Sequence, residues 1–340
     1  MVRVNSYPRQ PFVALKIAGL ALLLLATVIL SIGMGSLRVP LIDVIQALLG
    51  IGEAKYEFIV LQVRLPRIAA AALVGAAMAI SGTILQALVR NPLASPDLLG
   101  TTSGATAAVV AFITVMNGQV SVGWLPFAAL AGGCLSSTIT YMLTWKNGSS
   151  PIRMAMIGVA VSSAMGAITI YFTIAGPLYL VSQALGWMAG TIYGTSWNHV
   201  IYLAPWVAIG GTLALFQSRS LNVLELGDSI AVGLGMRVER QRFLFIALSV
   251  VLASSAVGIA GGISFVGLMA PHIARKLIGN QNRAVIAAAA ILGAWLVLLA
   301  DLIGRTFFVP MDIPAGIFTS ILGAPFFVYL MYRRTVPRSG

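Results

Sequence analysis

Charge is what this sequence has least of. Only 9% of its 340 residues are Asp, Glu, Lys or Arg, where a water-soluble domain carries about 25%. A large core does not account for the deficit, because a surface facing water would still need charge. Cysteine occurs once, at Cys134 inside an apolar run, which excludes a disulfide framework. Histidine occurs twice, at His199 and His272, too far apart to suggest a metal centre; no metal and no cofactor are expected. No GxxxxGK[ST] phosphate loop occurs, so ATP is not bound by that device. No nucleophile–base pair marks a membrane enzyme, and catalytic residues are expected to be none.

What is present is apolar. The chain is 59% hydrophobic with a mean hydropathy of +0.96, and many of its runs approach the roughly 20 residues that cross a bilayer as a helix. The fold expected is an all-α polytopic membrane protein with ten passes: 13–34, 68–89, 98–117, 122–145, 153–175, 198–217, 243–263, 265–278, 284–303 and 314–332. The eighth is short and is expected to be a partial or broken helix, tolerated only against protein or a cavity. Residues 35–58 are expected outside, with one short amphipathic helix. Residues 178–197, with Trp187, Tyr193 and Trp197, suit an interfacial helix. Spans rich in Gly, Ala and Ser (AAAALVGAAMAISG, ASSAVGIAGG) allow close helix approach in lipid and predict one compact bundle, a single transmembrane domain over 1–340.

The net charge of +12 reads as a membrane signal and not as a nucleic-acid site. With the N-terminus inside, only Arg38, Lys55, Arg64, Arg67 and Arg305 fall outside, and the other sixteen of the 21 basic residues collect on the cytoplasmic side. That bias places both termini in the cytoplasm. SGTILQALVRNPLASPDLLG after the second pass and GGISFVGLMAPHIARKLIG after the seventh share a Gly, a Leu six residues on and a later Pro. Read as a repeat, helices 2–5 and 7–10 have inverted orientation, a transporter signature.

Between two oily spans lies LELGDSIAVGLGMRVERQR, residues 224–242, a charged, glycine-punctuated segment. It reads as two short helices: Ser220 capping 221–226, Gly227 ending that helix, Asp228 capping 229–234, and Gly235 supplying a left-handed stop. Arg237, Arg240 and Arg242 are expected beside the headgroups.

Several stretches taken together resemble one family: RLPR at 64–67, GTILQALVRNPLASPDLLGTTSGA at 82–105, LGDSIAVGLG at 226–235, GGISFVGLMAPHIAR at 261–275, DLIGR at 301–305 and IPAGIFTSILGAPFFVYL at 313–330. They resemble, in order and over nearly the whole chain, the bacterial membrane permeases of ATP-driven importers for iron–siderophores, haem and cobalamin. The resemblance implies a type II ABC importer permease in the bacterial cytoplasmic membrane. It implies a second permease subunit, identical or paralogous, a cytoplasmic ATP-binding-cassette ATPase dimer and an extracytoplasmic substrate-binding protein. It favours an Fe(III)–siderophore cargo over cobalamin or haem. It also implies that residues 218–242 are the cytoplasmic coupling loop, with Leu226, Gly227, Asp228, Ala231, Gly233, Leu234 and Gly235 meeting the ATPase. In the resembled cobalamin permease, arginines at three matching positions meet acidic residues of the binding protein, a role carried onto Arg64, Arg67 and Arg305.

Other readings stand beside these. Arg64 and Arg67 also suit interfacial anchors whose stems snorkel to water, and Arg305 an i,i+4 pair with Asp301. Gln86, Ser81, Thr101, Thr102 and Ser103 either line the pathway or bond neighbouring helices. Asn91-Pro92 reads as a helix start near the inner gate, and Pro271-His272 as a helix break. An ion-coupled secondary transporter would need ionisable groups at mid-membrane; Asp301, near the outer end of its span, is the one acid well inside any.

Overall fold

The computed structural model describes residues 10–117, 120–145 and 151–335; of the basic residues used for orientation, Arg3, Arg9, Lys146 and Arg338 lie outside that set, as do both termini. Among the described residues the chain is helical throughout, with no strand. α1 spans Gln10–Gly33 and is followed by α2, Leu41–Leu48. Then one continuous helical rod runs from α3, Ala54–Phe58, through a π-helical stretch at Ile59–Arg64 into α4, Leu65–Val89. A 3-10 turn at Pro96–Leu99 leads into α5, Thr101–Met116. α6 (Leu125–Thr144), α7 (Pro151–Ala175), α8 (Leu178–Met188) and α9 (Trp197–Phe216) follow. Two short helices, α10 (Ser218–Glu225) and α11 (Asp228–Gly233), precede α12, Val238–Ala260. α13 (Val266–Ile278), α14 (Asn282–Phe307) and α15 (Ala315–Thr335) complete the chain.

Among the described residues, eight helices are long and apolar enough to cross a membrane; α5 is apolar but has only 16 residues, and α13 has 13. Burial separates them into rings. α4 is enclosed, with most of its residues from Ala70 to Leu88 buried, whereas α1 and α7 expose most of their lengths. α4 packs on α9, α12, α13 and α14, so it is the axis of the bundle. An apolar helix gains nothing from leaving lipid as it would from leaving water. What draws helices together there is close packing between small residues.

That packing is visible at two glycine contacts. A Cβ on Gly75 would sit 2.1 Å from Gly293 O, and one on Gly82 1.8 Å from Gly267 O; no side chain fits either place. Pro271 sharpens the second contact. It lacks an N–H, so it leaves the carbonyl of Gly267, four residues back, without its intrahelical donor. That same oxygen lies against Gly82. Gln86, one turn on along α4, donates Nε2 to Leu268 O at 3.2 Å.

Three expectations are corrected here. Residues 35–58 are not one loop with one helix: α2 is separate, and from Ala54 on the chain already belongs to the rod that becomes the second pass. Lys55 and Glu57 disguise that extension in the sequence. The π-helical stretch ahead of Pro66 leaves carbonyls without their usual partners, and Trp197 Nε1 donates to one of them, Leu61 O, at 2.9 Å. Secondly, Pro271 does not break its helix but lies in the middle of α13. The break precedes it at Gly261–Phe265, where Gly261 (φ 68°) and Phe265 (φ 66°) turn the chain. Thirdly, the interfacial helix ends at Met188, and residues 189–196 form the turn into α9. There His199 closes a capping box, its Nδ1 accepting from Ser196 N at 3.1 Å.

The glycine contact yields a prediction. Gly82→Leu forces Leu Cβ into the Gly267 carbonyl and should destabilise the purified protein by about 1–3 kcal/mol or more, as overpacking does. Gly19→Ala, in α1 with nothing within 4 Å of its added Cβ, should be neutral or mildly stabilising. Unfolding midpoints in mixed detergent micelles check both; equal midpoints for Gly82→Leu and the parent contradict the packing.

Candidate functional site

Two polar constellations interrupt the apolar bundle, one at each end of α4. At the end where α4 begins, Arg67 sits between two carboxylates. Its Nε lies 2.9 and 3.1 Å from the two oxygens of Asp301, and its Nη2 2.8 Å from Asp301 Oδ1. Its Nη1 and Nη2 take Asp312 in a fork at 2.6 and 2.8 Å, and its Cζ lies 5.7 Å from the Tyr193 ring centre. This is the planar, doubly bidentate recognition to which a guanidinium is suited and an ammonium is not. Asp301 is 1% exposed and has Arg305 Nε at 3.5 Å on its other side.

Arg305 and Arg64 reach instead to the end of α1. Arg305 Nη1 donates to Met34 O at 2.9 Å, and its Nη2 donates to Ser31 O and Ser31 Oγ. Arg64 donates to Ile32 O and Leu37 O. The last carbonyls of a helix have no intrahelical donor and carry the negative end of its dipole. Two guanidiniums therefore cap α1. Gly35 lets them approach: a Cβ there would lie 3.0 Å from Arg64 Nη2 and 3.2 Å from Arg305 Nη1. Sequence reasoning had all three arginines as docking groups, with Arg64 and Arg67 otherwise snorkelling anchors and Arg305 otherwise an i,i+4 partner of Asp301, a pair the structure does contain at 3.5 Å. The structure turns them inward, with Arg64 4% and Arg305 7% exposed, because the free carbonyls of α1 and the carboxylates of Asp301 and Asp312 offer stronger partners than interfacial water. No local pattern encodes Asp312 or Ser31 as partners, and both were missed.

At the other end of α4 lies the glycine-punctuated segment. It forms the two expected short helices, with different caps. Ser220 lies within α10, its hydroxyl beside Gln217 Oε1 at 3.4 Å, and α10 starts at Ser218 directly after α9. Asp228 is the first residue of α11, behind Gly227 at φ 119°. Its carboxylate caps nothing; it binds Arg90 and, at 2.9 Å, Arg242 Nη2. Gly235, φ 78°, does supply the left-handed stop: its N–H meets Val232 O at 2.9 Å and that of Met236 meets Ala231 O at 3.0 Å, the Schellman pattern. Arg242 does not lie among headgroups. It is 2% exposed and also holds Glu239 at 2.8 Å.

Of the residues read as meeting a partner, Leu226 and Leu234 are exposed, and together with Ile230 and Val232, which were not singled out from the sequence, they present an exposed apolar surface. Gly233 has nothing within 4 Å of an added Cβ, whereas Ala231 is wholly buried beneath the surface. Glu225 meets Asn282 Nδ2 at 2.9 Å and Arg275 at 3.6 Å. Burial pushes its carboxyl above the usual carboxylate range, against the pull of those two partners.

The residues read as pathway-lining do not gather into one cavity. Thr101 is buried and bonds Ser137 Oγ at 2.7 Å, and Ser81 bonds Ser249, so both join helices. Ser103 is half-buried on α5. Asn91 Oδ1 accepts from Leu93 N at 3.0 Å, bracing the turn that holds Pro92 rather than capping the third pass. His272 stacks edge-on against Phe326, ring centres 5.6 Å apart. Gln86 and Pro92 do share a cavity of about 290 Å³ with Arg90, Glu225, Arg275 and Asn280.

This architecture, an enclosed axial helix ringed by apolar spans with a charged helix pair at one end, matches known proteins closely. The model of the FecCD transport family matches residues 23–333. The chain belongs to that family. It is 42% identical over 313 residues to the achromobactin transport system permease protein CbrC of Dickeya dadantii, covering 92% of this chain and 90% of that one. It is 38% identical over 318 residues to the iron(3+)-hydroxamate import system permease protein FhuG of Bacillus subtilis, covering 92% and 95%. A solved structure described as an inward-facing conformation of a metal-chelate type ABC transporter superposes with a TM-score of 0.84 at 29% identity, over 94% of this chain and 99% of that one. The resemblance read from the motifs is thereby borne out.

Asp301 gives the sharpest test of the outer cluster. Asp301→Asn removes the buried charge from between two guanidiniums and should cost about 3–5 kcal/mol, the penalty for breaking a buried pair. Asp312→Asn, at the rim, should cost about 1 kcal/mol or less. Unfolding midpoints of the two purified variants check the order; an Asp301→Asn protein as stable as Asp312→Asn contradicts it.

Proposed function

We propose that this chain is the permease subunit of an ATP-driven importer and forms, with a second identical or paralogous permease, the pathway for an Fe(III)–siderophore complex across the bacterial cytoplasmic membrane. The observation that carries the reading is the segment 218–242. An exposed apolar patch on an otherwise charged element is the mark of a protein contact, and here Leu226, Ile230, Val232 and Leu234 form it on the side where basic residues collect. A protein without a phosphate loop takes its energy from a partner, and a cytoplasmic ATPase dimer docking on this patch supplies it. The cargo is supported by the relatives, which belong to an achromobactin and an iron(3+)-hydroxamate system.

The remaining features follow. The chain is one domain over 1–340 with ten passes, α5 and α13 completing the eight long spans, and both termini are cytoplasmic. The stretches 81–100 and 261–279 head two inverted halves, and they meet at Gly82 and Gly267. An external binding protein docks on the outer rim. There Asp312, the more exposed carboxylate on Arg67, is the one an incoming acidic side chain would displace, while Arg64 and Arg305 hold the rim in shape by capping α1. Gln86, Asn91, Pro92, Thr101, Ser103, Pro271 and His272 flank the inner gate.

Reconstitution tests the whole. With its ATPase and binding protein in proteoliposomes, the chain should import radiolabelled ferric hydroxamate or ferric achromobactin only when ATP is supplied. A cysteine at position 229, after Cys134→Ser, should react with a membrane-impermeant maleimide only from the cytoplasmic side. Uptake driven by an ion gradient without the ATPase, uptake of cobalamin instead of the ferric complex, or labelling of residue 229 from outside would each overturn the reading.

A further inference from the structure

The ion pairs beneath the coupling segment are sorted by helix. On α11, Asp228 binds Arg90, at the end of α4, and Arg242, near the start of α12. On α10, Glu225 meets Arg275, near the end of α13, and Asn282, the first residue of α14. Asn222, also on α10, accepts from the Asn282 backbone N–H at 3.1 Å, satisfying one of the free donors at the start of α14. By their polar contacts α11 is thus tied to α4 and α12, and α10 to α13 and α14, while the apolar side of α10 also packs on α4.

Between the two arms stands Gly227, with φ 119° and ψ 154°, a conformation that side-chain residues rarely adopt. The arms therefore meet at the one point in the segment where the backbone turns most freely. The cavity lined by Gln86, Arg90, Glu225 and Arg275 lies between them and leaves room for relative movement. Above it, α4 and α13 touch backbone to backbone at Gly82 and Gly267, so movement is confined to the helix ends below that contact.

We propose that Glu225 and Asp228 are positioning residues for energy transfer: each carboxylate hands motion of the coupling segment to a different pair of helix ends, Asp228 to those of α4 and α12 and Glu225 to those of α13 and α14. This rests on the reading that residues 218–242 meet the ATPase, and it adds which contacts carry the motion inward. The apolar patch receives the load; Asp228 passes it to α4 through Arg90, and Glu225 passes it to α13 and α14.

The test uses the full transporter in proteoliposomes and reads ferric complex imported per ATP hydrolysed. Arg90→Gln and Glu225→Gln change no side chain of the exposed apolar patch, so the ATPase should still copurify. Combined, they should lower the ratio about tenfold, within the range of a coupling energy between sites. The exchange Glu225→Arg with Arg275→Glu restores opposite charges, and Asn282 can turn its amide to accept from the new arginine. It should recover most of the ratio that Glu225→Gln alone loses. A purely structural role would lower the unfolding midpoints of these variants together with the ratio, whereas the positioning role lowers the ratio alone. An unchanged ratio in the Arg90→Gln/Glu225→Gln protein overturns the proposal, as does loss of ATPase copurification in it, or a charge exchange no better than Glu225→Gln. If instead the unaltered protein binds no ATPase, the functional reading itself fails, which separates the two.

Discussion

The contact between Gly82 and Gly267 sets the terms for the rest of this molecule. A backbone approach of that kind admits no side chain on either partner. In lipid it replaces the hydrophobic force that would assemble helices in water. With the second approach at Gly75 and Gly293, it fixes α4 as a buried axis against α13 and α14. The charge clusters are hung from the two ends of that axis. Arg64 and Arg67 stand at its beginning, and Gln86 and Arg90 at its end. The chain thus keeps its scarce charge off the lipid and concentrates it where it joins elements remote in sequence.

The two ends use charge differently. At the outer end the groups are deeply buried and mutually satisfied, Arg67 by two carboxylates and Arg64 and Arg305 by the free carbonyls of α1. Such groups hold a fixed shape, since losing one partner strands the other. At the opposite end the pairs are more exposed and border a cavity, and the apolar surface over them has no partner among the described residues. One rigid end and one more adjustable end suit the permease role proposed above.

The spans were legible in the sequence because bilayer thickness imposes length and apolarity on them directly. The glycine stop at Gly235 and the turn at Gly227 were also legible, since a left-handed backbone narrows the choice of residue. What failed to show was every interaction spanning distant parts of the chain. Asp228 reads as a helix cap because the next residues suit a helix, yet its partners are Arg90 and Arg242. The three outer arginines read as outward-facing because their span ends there, and nothing near them announces that the end of α1 needs capping. Pro271 reads as a helix break by its own chemistry; the bundle keeps the helix whole and sets the freed carbonyl of Gly267 against Gly82. The long rod from Ala54 was hidden by Lys55 and Glu57, whose charges mimic a loop.

Hydrogen–deuterium exchange of the purified protein in detergent tests the central claim, that α4 is the fixed axis, because exchange reports the free energy of local opening. The account predicts that amides between residues 70 and 88 of α4 exchange far more slowly than those between residues 14 and 29 of α1, an equally apolar but lipid-exposed helix. Equal exchange in the two helices would contradict it.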